Sequence, residues 1–587
     1  MNDIRRTILW VIFGFSLVML WDQWQVYNGR KATFFPGSTP AVVQPQDQTA
    51  SSSVPGSLPG SLPGSVPSSV PGSVPVASSS VAGADQIAGA VPALAAPVAA
   101  PVAGQELVQV ETDVFKLTFS TEGGSLVRAE LRKHADMADK NSNFVLFDNS
   151  VDRVYLAHSG LIAGAGGPAL PTHKTVMTLA PGERTLPEGS QSLELRFESP
   201  EVGGVQLIKT YTLTRGSYVM AVKHEVVNVG AAAVAPQLYL QLVRDGNKPP
   251  GESSFYFTFT GPAVYTEAQK YQKVDFSNIE KDKVDIEKTA QNGYVAMVQH
   301  YFASAWLLAD GIKRDLFMRK VDTNLYAVGM IAPLESIAPG ARKTISTTLY
   351  AGPQEEKVLE ALAPGLELVK DYGWLTILAK PLYWLLDKLH GFIGNWGWSI
   401  VALVLLLKAA FYWLNAKAYS SMAKMKAVNP RIMEMRERLK DNPQQMQQEM
   451  MRIYREEKVN PMGGCFPIMI QIPVFIALYW VLLASVEMRN APWIGWIHDL
   501  SSPDPFYILP IFMTLTTVLQ TSLNPAPPDP MQAKMMWFMP LAFSVMFFFF
   551  PAGLVLYWIT NNVLSIAQQW VINTRMGVPP KFHFPKF

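Results

Sequence analysis

Residues 391–416 read GFIGNWGWSIVALVLLLKAAFYWLNA, and Lys408 is the one charged side chain among them. A run of this length matches the roughly 20 apolar residues that a helix needs to cross a bilayer. A cation deep in such a helix costs roughly 3 kcal/mol on insertion-based scales, so it needs water, a partner or a task. A lysine close to a helix end can snorkel to the interface. Here the next basic residue is Lys417, and the intervening roughly 13 Å of helix exceeds the reach of the side chain.

The rest of the chain is of the same kind. Of its 587 residues 49% are hydrophobic and 16% charged, too apolar for an ordinary soluble assembly. The formal net charge of +2 averages an apolar half with a water-soluble half and says little about partners. Cys465 is the single cysteine, which excludes an intramolecular disulfide, so any exported part must be held by core burial alone.

Arg5 and Arg6 precede an uncharged run at 7–21 that extends to Trp24 across Asp22, long enough for a tilted helix. Trp21 and Trp24 suit an interfacial position and no small-x-small cleavage site follows, so the run reads as a retained anchor rather than a signal peptide. Further uncharged runs lie at 459–486, 505–528 and 535–574, the last divided by Pro551-Ala552-Gly553 because proline and glycine end helices. The expected count is six transmembrane helices. Lys417, Lys424, Lys426, Arg431, Arg436 and Arg438 crowd the loop after the second span, whereas the loop after the third offers only Arg489. By the positive-inside rule that crowded loop and both termini are cytoplasmic, and the long segment between the first two spans is exported.

The exported segment opens with Val/Leu-Pro-Gly-Ser repeats at 54–80 and an Ala/Pro/Val tract to 104, which has no large side chains to bury and reads as a tether. From 107 to about 350 the pattern has period two, as in Phe115, Leu117 and Phe119 or Leu193, Leu195 and Phe197, which predicts an antiparallel β-sandwich. His134, His158, His173, His224 and His300 are scattered through it without metal-ligand spacing. Trp374, Ile377, Leu378, Leu382, Leu385, Leu386 and Leu389 then share one helical face, fitting a helix on the outer membrane surface or a connector on the sandwich. In the cytoplasmic loop, Asp441-Asn442-Pro443 separates two glycine-free helical stretches, predicting an antiparallel hairpin whose first arm contains Asn429-Pro430, a kink signal. Met422, Met425, Met446 and Met450 recur along it, suited either to varied apolar partners or to the hairpin's own seam.

The expected organisation is thus a transmembrane anchor (1–27), a disordered Pro/Gly/Ser/Ala-rich linker (28–106), a periplasmic β-sandwich domain (107–352) and a connector with an amphipathic interfacial helix (353–392). A second transmembrane helix (393–416), the cytoplasmic helical hairpin (417–461), transmembrane helices three to six (462–574) and a cytoplasmic tail (575–587) follow.

Several motifs carry a family likeness: Gly394-Asn395-Trp396-Gly397, Ser421-Met422-Ala423-Lys424-Met425, Asn460-Pro461-Met462-Gly463-Gly464-Cys465-Phe466-Pro467, Trp496-Ile497-His498-Asp499-Leu500, Asp529-Pro530-Met531-Gln532 and Gly553-Leu554-Val555-Leu556-Tyr557. In this order they closely resemble the YidC family of membrane-protein insertases, in the Gram-negative type whose large periplasmic domain is a β-supersandwich. The resemblance implies a five-helix insertase core plus the N-terminal anchor, in the bacterial inner membrane. It also implies a hydrophilic groove, open to the cytoplasm and to lipid, with one positive residue in the first core helix. That residue falls on Lys408, where many relatives carry arginine, so the charge is kept and the planar fork is lost. Groove positions on the fourth and sixth spans fall on Gln520 and Trp558, with Thr560, Asn561 and Asn562 as further polar candidates, and a threonine position of some relatives is Val404 here.

The partners implied are nascent inner-membrane proteins, the Sec translocon with its accessory subunits, ribosomes and targeting factors at the hairpin and tail, and membrane lipids. The hairpin contacts expected are Met422, Met425, Met446, Met450, Arg431 and Arg436. No P-loop and no intramembrane acidic relay is present, so neither nucleotide hydrolysis nor pumping is expected, and no cofactor, metal or catalytic residue. Two other classes fit a charge in a polar cavity or an exported sandwich: a small-solute transporter and a membrane-anchored periplasmic carbohydrate-modifying enzyme.

Overall fold

Alternating apolar residues build the first half of the molecule. In the strand Ser192–Glu198, Leu193, Leu195 and Phe197 are buried while their neighbours are not, as a strand with one solvated face requires. The computed structural model describes residues 105–577 and 582, apart from 138, 165, 251–257, 440–441, 458–465 and 525–529. The expected anchor at 1–27, nearly all of the linker at 28–106, Cys465 and most of the tail lie outside the described residues.

Among the described residues the strands form two nine-stranded antiparallel sheets. The first runs, edge to edge, through Leu107–Glu111, Phe115–Ser120, Ser125–Ala135, Asn143–Asn149, Val154–Ile162, Gln237–Asp245, Leu325–Pro333, Arg314–Asp322 and Thr289–Ala290. The second runs through Lys270–Lys273, Gly261–Thr266, Tyr294–Gln299, Phe302–Leu308, Arg342–Pro353, Val219–Asn228, Val205–Thr214, Ser192–Glu198 and Thr178–Leu179. Phe119, Tyr211, Leu240 and Trp306 fill the space between the sheets. The central strand Val154–Ile162 is buried at every position. Its second face carries Val154, Leu156 and Ile162, which join Tyr239, Val243 and Phe317 in a smaller cluster.

The second half is helical: α1 (Thr376–Ile393), α2 (Trp396–Ala410), α3 (Tyr412–Arg438), α4 (Pro443–Glu456), α5 (Phe466–Ala484), α6 (Ile508–Leu523), α7 (Pro530–Met546) and α8 (Ala552–Arg575). The motif at 394–397 is a corner. Gly394 ends α1 at φ +73°, and Asn395 caps α2 by accepting from Trp398 N at 3.1 Å while donating to Pro492 O, also at 3.1 Å. A Cβ on Gly397 would stand 2.2 Å from the Trp493 ring, so only glycine fits. Asn442 likewise caps α4, whose first residue is Pro443.

One expectation is corrected here. The helix read over 393–416 stops at Ala410, and the chain turns by 68° into α3. Phe411, at φ −89° and ψ 8°, has left helical geometry, and beyond it Tyr412 and Trp413 face outward, 46% and 67% exposed. Pro430, at the expected kink signal, lies inside α3. Among the described residues no single helix is long and apolar enough to cross a membrane, although the bent pair α2–α3 passes that test by length and composition.

The amphipathic helix α1 lies on the helical core rather than on the sandwich: Ala379, Leu382, Tyr383 and Leu386 are buried against α2 and α5. Ile377 and Phe392, each 91% exposed, point away. The two halves meet near α5. Lys370 pairs with Glu487 at 3.1 Å, and Tyr383 donates to the same carboxylate. Arg489 stands over the rings of Phe144, Tyr301 and Phe302 and donates to Ala135 O.

Candidate functional site

Lys408 lies one turn before the bend, on the side of α2 that meets α8. Its Nζ donates to Ser565 Oγ at 2.7 Å, and Ser565 donates to the Asn561 carbonyl at 2.7 Å. A hydroxyl whose proton is committed to a carbonyl presents only lone pairs to its next neighbour, so the serine is a directional acceptor for the ammonium. Tyr419 of α3 also bonds Ser565. Beside the lysine is a cavity of about 20 Å³ lined by Val404, Leu407, Phe411, Asn415, Val474, Tyr557 and Asn561, which has room for about one water. None of these lining residues is acidic. This space lies where the resemblance places the hydrophilic groove, and the rings of Phe411 and Tyr557 are among its walls.

Of the expected groove residues, Lys408 and Asn561 line this cavity. Trp558 is drawn elsewhere, its ring 4.5 Å from Phe475 and 4.8 Å from Phe547. Thr560 Oγ1 donates to Leu556 O of its own helix at 2.8 Å. Asn562 is buried and ties α8 to α6, its Nδ2 reaching Thr516 Oγ1 at 3.2 Å and Thr517 Oγ1 at 3.0 Å. Gln520 is half-buried on α6, away from the cavity. Helical geometry explains the division, since residues four apart share a face and adjacent residues do not. Asn561 and Ser565 stand together, while Thr560 and Asn562 flank them. Sequence reading missed Ser565, Asn415 and Tyr557; for Ser565 the available signal was its spacing of four from Asn561.

A family model described as the YidC periplasmic domain matches residues 107–385, and one described as the 60Kd inner membrane protein matches 388–578. The membrane protein insertase YidC of Cupriavidus necator is 55% identical over 575 residues, covering 98% of this chain and 98% of its own. That of Burkholderia orbicola is 52% identical over 576 residues, covering 98% and 99%. The chain belongs to the YidC family. A solved active YidC insertase with its first transmembrane domain resolved covers 82% of this chain and 94% of its own at 17% identity, with a TM-score of 0.36. A galactose mutarotase-like protein from Lactobacillus casei covers 42% of this chain at 10% identity, with a TM-score of 0.28.

Two further groups of expected residues find their place in this YidC-family chain. In the hairpin, Met425, Met446 and Met450 pack on a small core of Val428, Ile432, Met435 and Ile453, so they form the seam between α3 and α4. Arg431 pairs with Glu456 at 3.0 Å and Glu457 at 2.8 Å across that seam. Met422 and Arg436 are half-buried on α3, outside this core.

In the β-domain three of the five scattered histidines converge. The rings of His158 and His173 stack at 4.5 Å, and His173 Nδ1 meets Tyr239 Oη at 2.6 Å. On the opposite face of the same strand, Ser159 holds His224 Nε2 at 3.0 Å and accepts from buried Lys209 through its carbonyl at 2.7 Å. Burial and then neighbouring cations hold all three imidazoles neutral, His173 down to about 3 and the other two well below the usual range. Burial pushes Lys209 down to about 7. Buried and tied by these hydrogen bonds, the group is polarity within the core. The whole-length relatives are insertases rather than enzymes.

Proposed function

We propose that this chain acts as a membrane protein insertase of the inner membrane and that the Lys408 site receives the hydrophilic tail of a client. The observation that carries this reading is a cation bound to a neutral serine, beside a cavity whose lining includes no carboxylate. Such a charge keeps its full attraction for an acidic tail, and Coulomb interaction strengthens as the surroundings dry. Polar space within the inner leaflet shortens the hydrocarbon that the tail must cross. The client's apolar segment meanwhile partitions into lipid beside α5 and α7, where Phe538, Phe543 and Val545 face outward. Hydrophobic transfer and the membrane potential supply the free energy.

In this reading the anchor, the α2–α3 knee and α5 to α8 make six spans, with both termini and the hairpin cytoplasmic. Clients are nascent inner-membrane proteins, met alone or beside the Sec translocon and its accessory subunits. Ribosomes and targeting factors meet the hairpin and tail, and lipids surround the core. The test is insertion into reconstituted vesicles: Lys408→Arg supports insertion of an acidic-tailed client, whereas Lys408→Glu impairs it. Equal insertion by wild type and Lys408→Glu refutes the proposal.

A further inference from the structure

A half-buried ammonium such as that of Lys408 has to be held without being neutralised. Lysine carries three donors, and one of them is used on Ser565 Oγ. An acidic partner would hold the group more firmly, but would also cancel the charge that a tail has to find. Among the described residues, those that line the site or bond within it are neutral: Asn415 and Tyr419 from α3, Val474 from α5, and Tyr557, Asn561 and Ser565 from α8.

Ser565 is 3% exposed and oriented by its own bond to Asn561 O, so its acceptor lone pairs are fixed before the lysine arrives. It also lies one turn beyond Asn561 along α8, toward the end of the helix that carries Arg575. The contact therefore draws the ammonium along the cavity, away from Val404 and toward that end. Next to it, Gln568 Nε2 donates to Tyr412 O at 3.3 Å, fastening α8 to the start of α3 just past the bend.

We propose that Ser565 is a positioning residue for insertion: a neutral latch that parks the Lys408 ammonium on the cytoplasmic side of the cavity and gives it up to a carboxylate of the arriving tail. This deepens the reading of Lys408 as the tail-binding charge and rests on it. The exchange replaces a hydrogen bond to a neutral oxygen with an ion pair to a carboxylate, which adds Coulomb attraction between opposite charges. It thus favours acidic tails without trapping the lysine beforehand.

The test compares two clients in vesicles containing the full chain, identical except for an acidic or an uncharged tail, and reads the ratio of their insertion rates. Ser565→Thr keeps the hydroxyl and leaves the ratio as in wild type. Ser565→Ala lets the ammonium leave the cytoplasmic side of the cavity and lowers the ratio about threefold, as expected if it then stands in the tail's path only about a third of the time. Ser565→Asp neutralises the lysine and lowers it about tenfold, as expected of a close charge pair in a partly dry site. A merely structural serine would lower both clients together and leave the ratio unchanged, which overturns the proposal. Lys408→Glu, measured beside these variants, separates the two readings. If Lys408→Glu lowers the ratio and both Ser565→Ala and Ser565→Asp leave it at the wild-type value, the latch fails and the tail-binding charge stands. If Lys408→Glu also leaves the ratio unchanged, the underlying reading fails.

Discussion

Acid should weaken the β-domain through its buried histidines, by an amount that the structure sets. His158, His173 and His224 are 5%, 5% and 0% exposed, and burial above all, with the Lys209 cation near each of them, keeps them neutral in the fold. In the unfolded chain each titrates near 6.5. The folded pKa is depressed, so below 6.5 the unfolded state takes up protons that the folded state refuses, and stability falls as pH falls. Per histidine the unfolded chain gains about 0.2 kcal/mol at pH 7 and about 2 kcal/mol at pH 5, so three together cost the fold about 5 kcal/mol over that interval. With a urea dependence of about 2 to 3 kcal/mol per molar, the unfolding midpoint drops by about 2 M. Trp306 is 1% exposed and is the only tryptophan between 105 and 373, so its fluorescence in a 105–353 fragment reports this transition alone. Replacing His224 with Gln removes one of the titrating groups and flattens the pH dependence. A midpoint that moves by less than about 0.5 M between pH 7 and pH 5 would show that these imidazoles are not held neutral, contrary to the reasoning.

Two further predictions concern the helical half. Gly397→Ala drives a methyl into the Trp493 ring, where a Cβ has only 2.2 Å, and overpacking of this kind costs about 1 to 3 kcal/mol, which a lowered thermal midpoint of the detergent-solubilised chain should show. Asn562→Ala removes the donor to Thr516 and Thr517 and costs about 0.6 to 1.7 kcal/mol, the range measured for polar contacts between helices in a bilayer. Insertion of acidic-tailed and uncharged-tailed clients should change alike, and a selective loss of acidic-tailed insertion would instead place Asn562 in the tail path.

Much of this protein was legible along the chain because the responsible physics is local. Period-two burial in segments such as Leu193 to Phe197 depends only on alternation of neighbouring side chains. Asn395 and Asn442 cap their helices through backbone groups three residues away. The apolar runs and the lone cation among them are visible as composition, and the ordered motifs, read together, pointed to the family. Tertiary structure decided the rest, because those interactions join distant residues. Lys408 meets Ser565 across 157 positions, and His224 meets Ser159 across 65, pairings that no periodicity encodes. The break at Phe411 separates a run that reads as one helix into two, since hydropathy records how apolar a segment is and not where its axis turns. Trp558, through the resemblance, and Thr560 and Asn562, as polar residues beside it, were expected to line the groove around the cation. Which of them faces it depends on the rotation of α8 against α2, and that rotation is set by packing of the whole bundle.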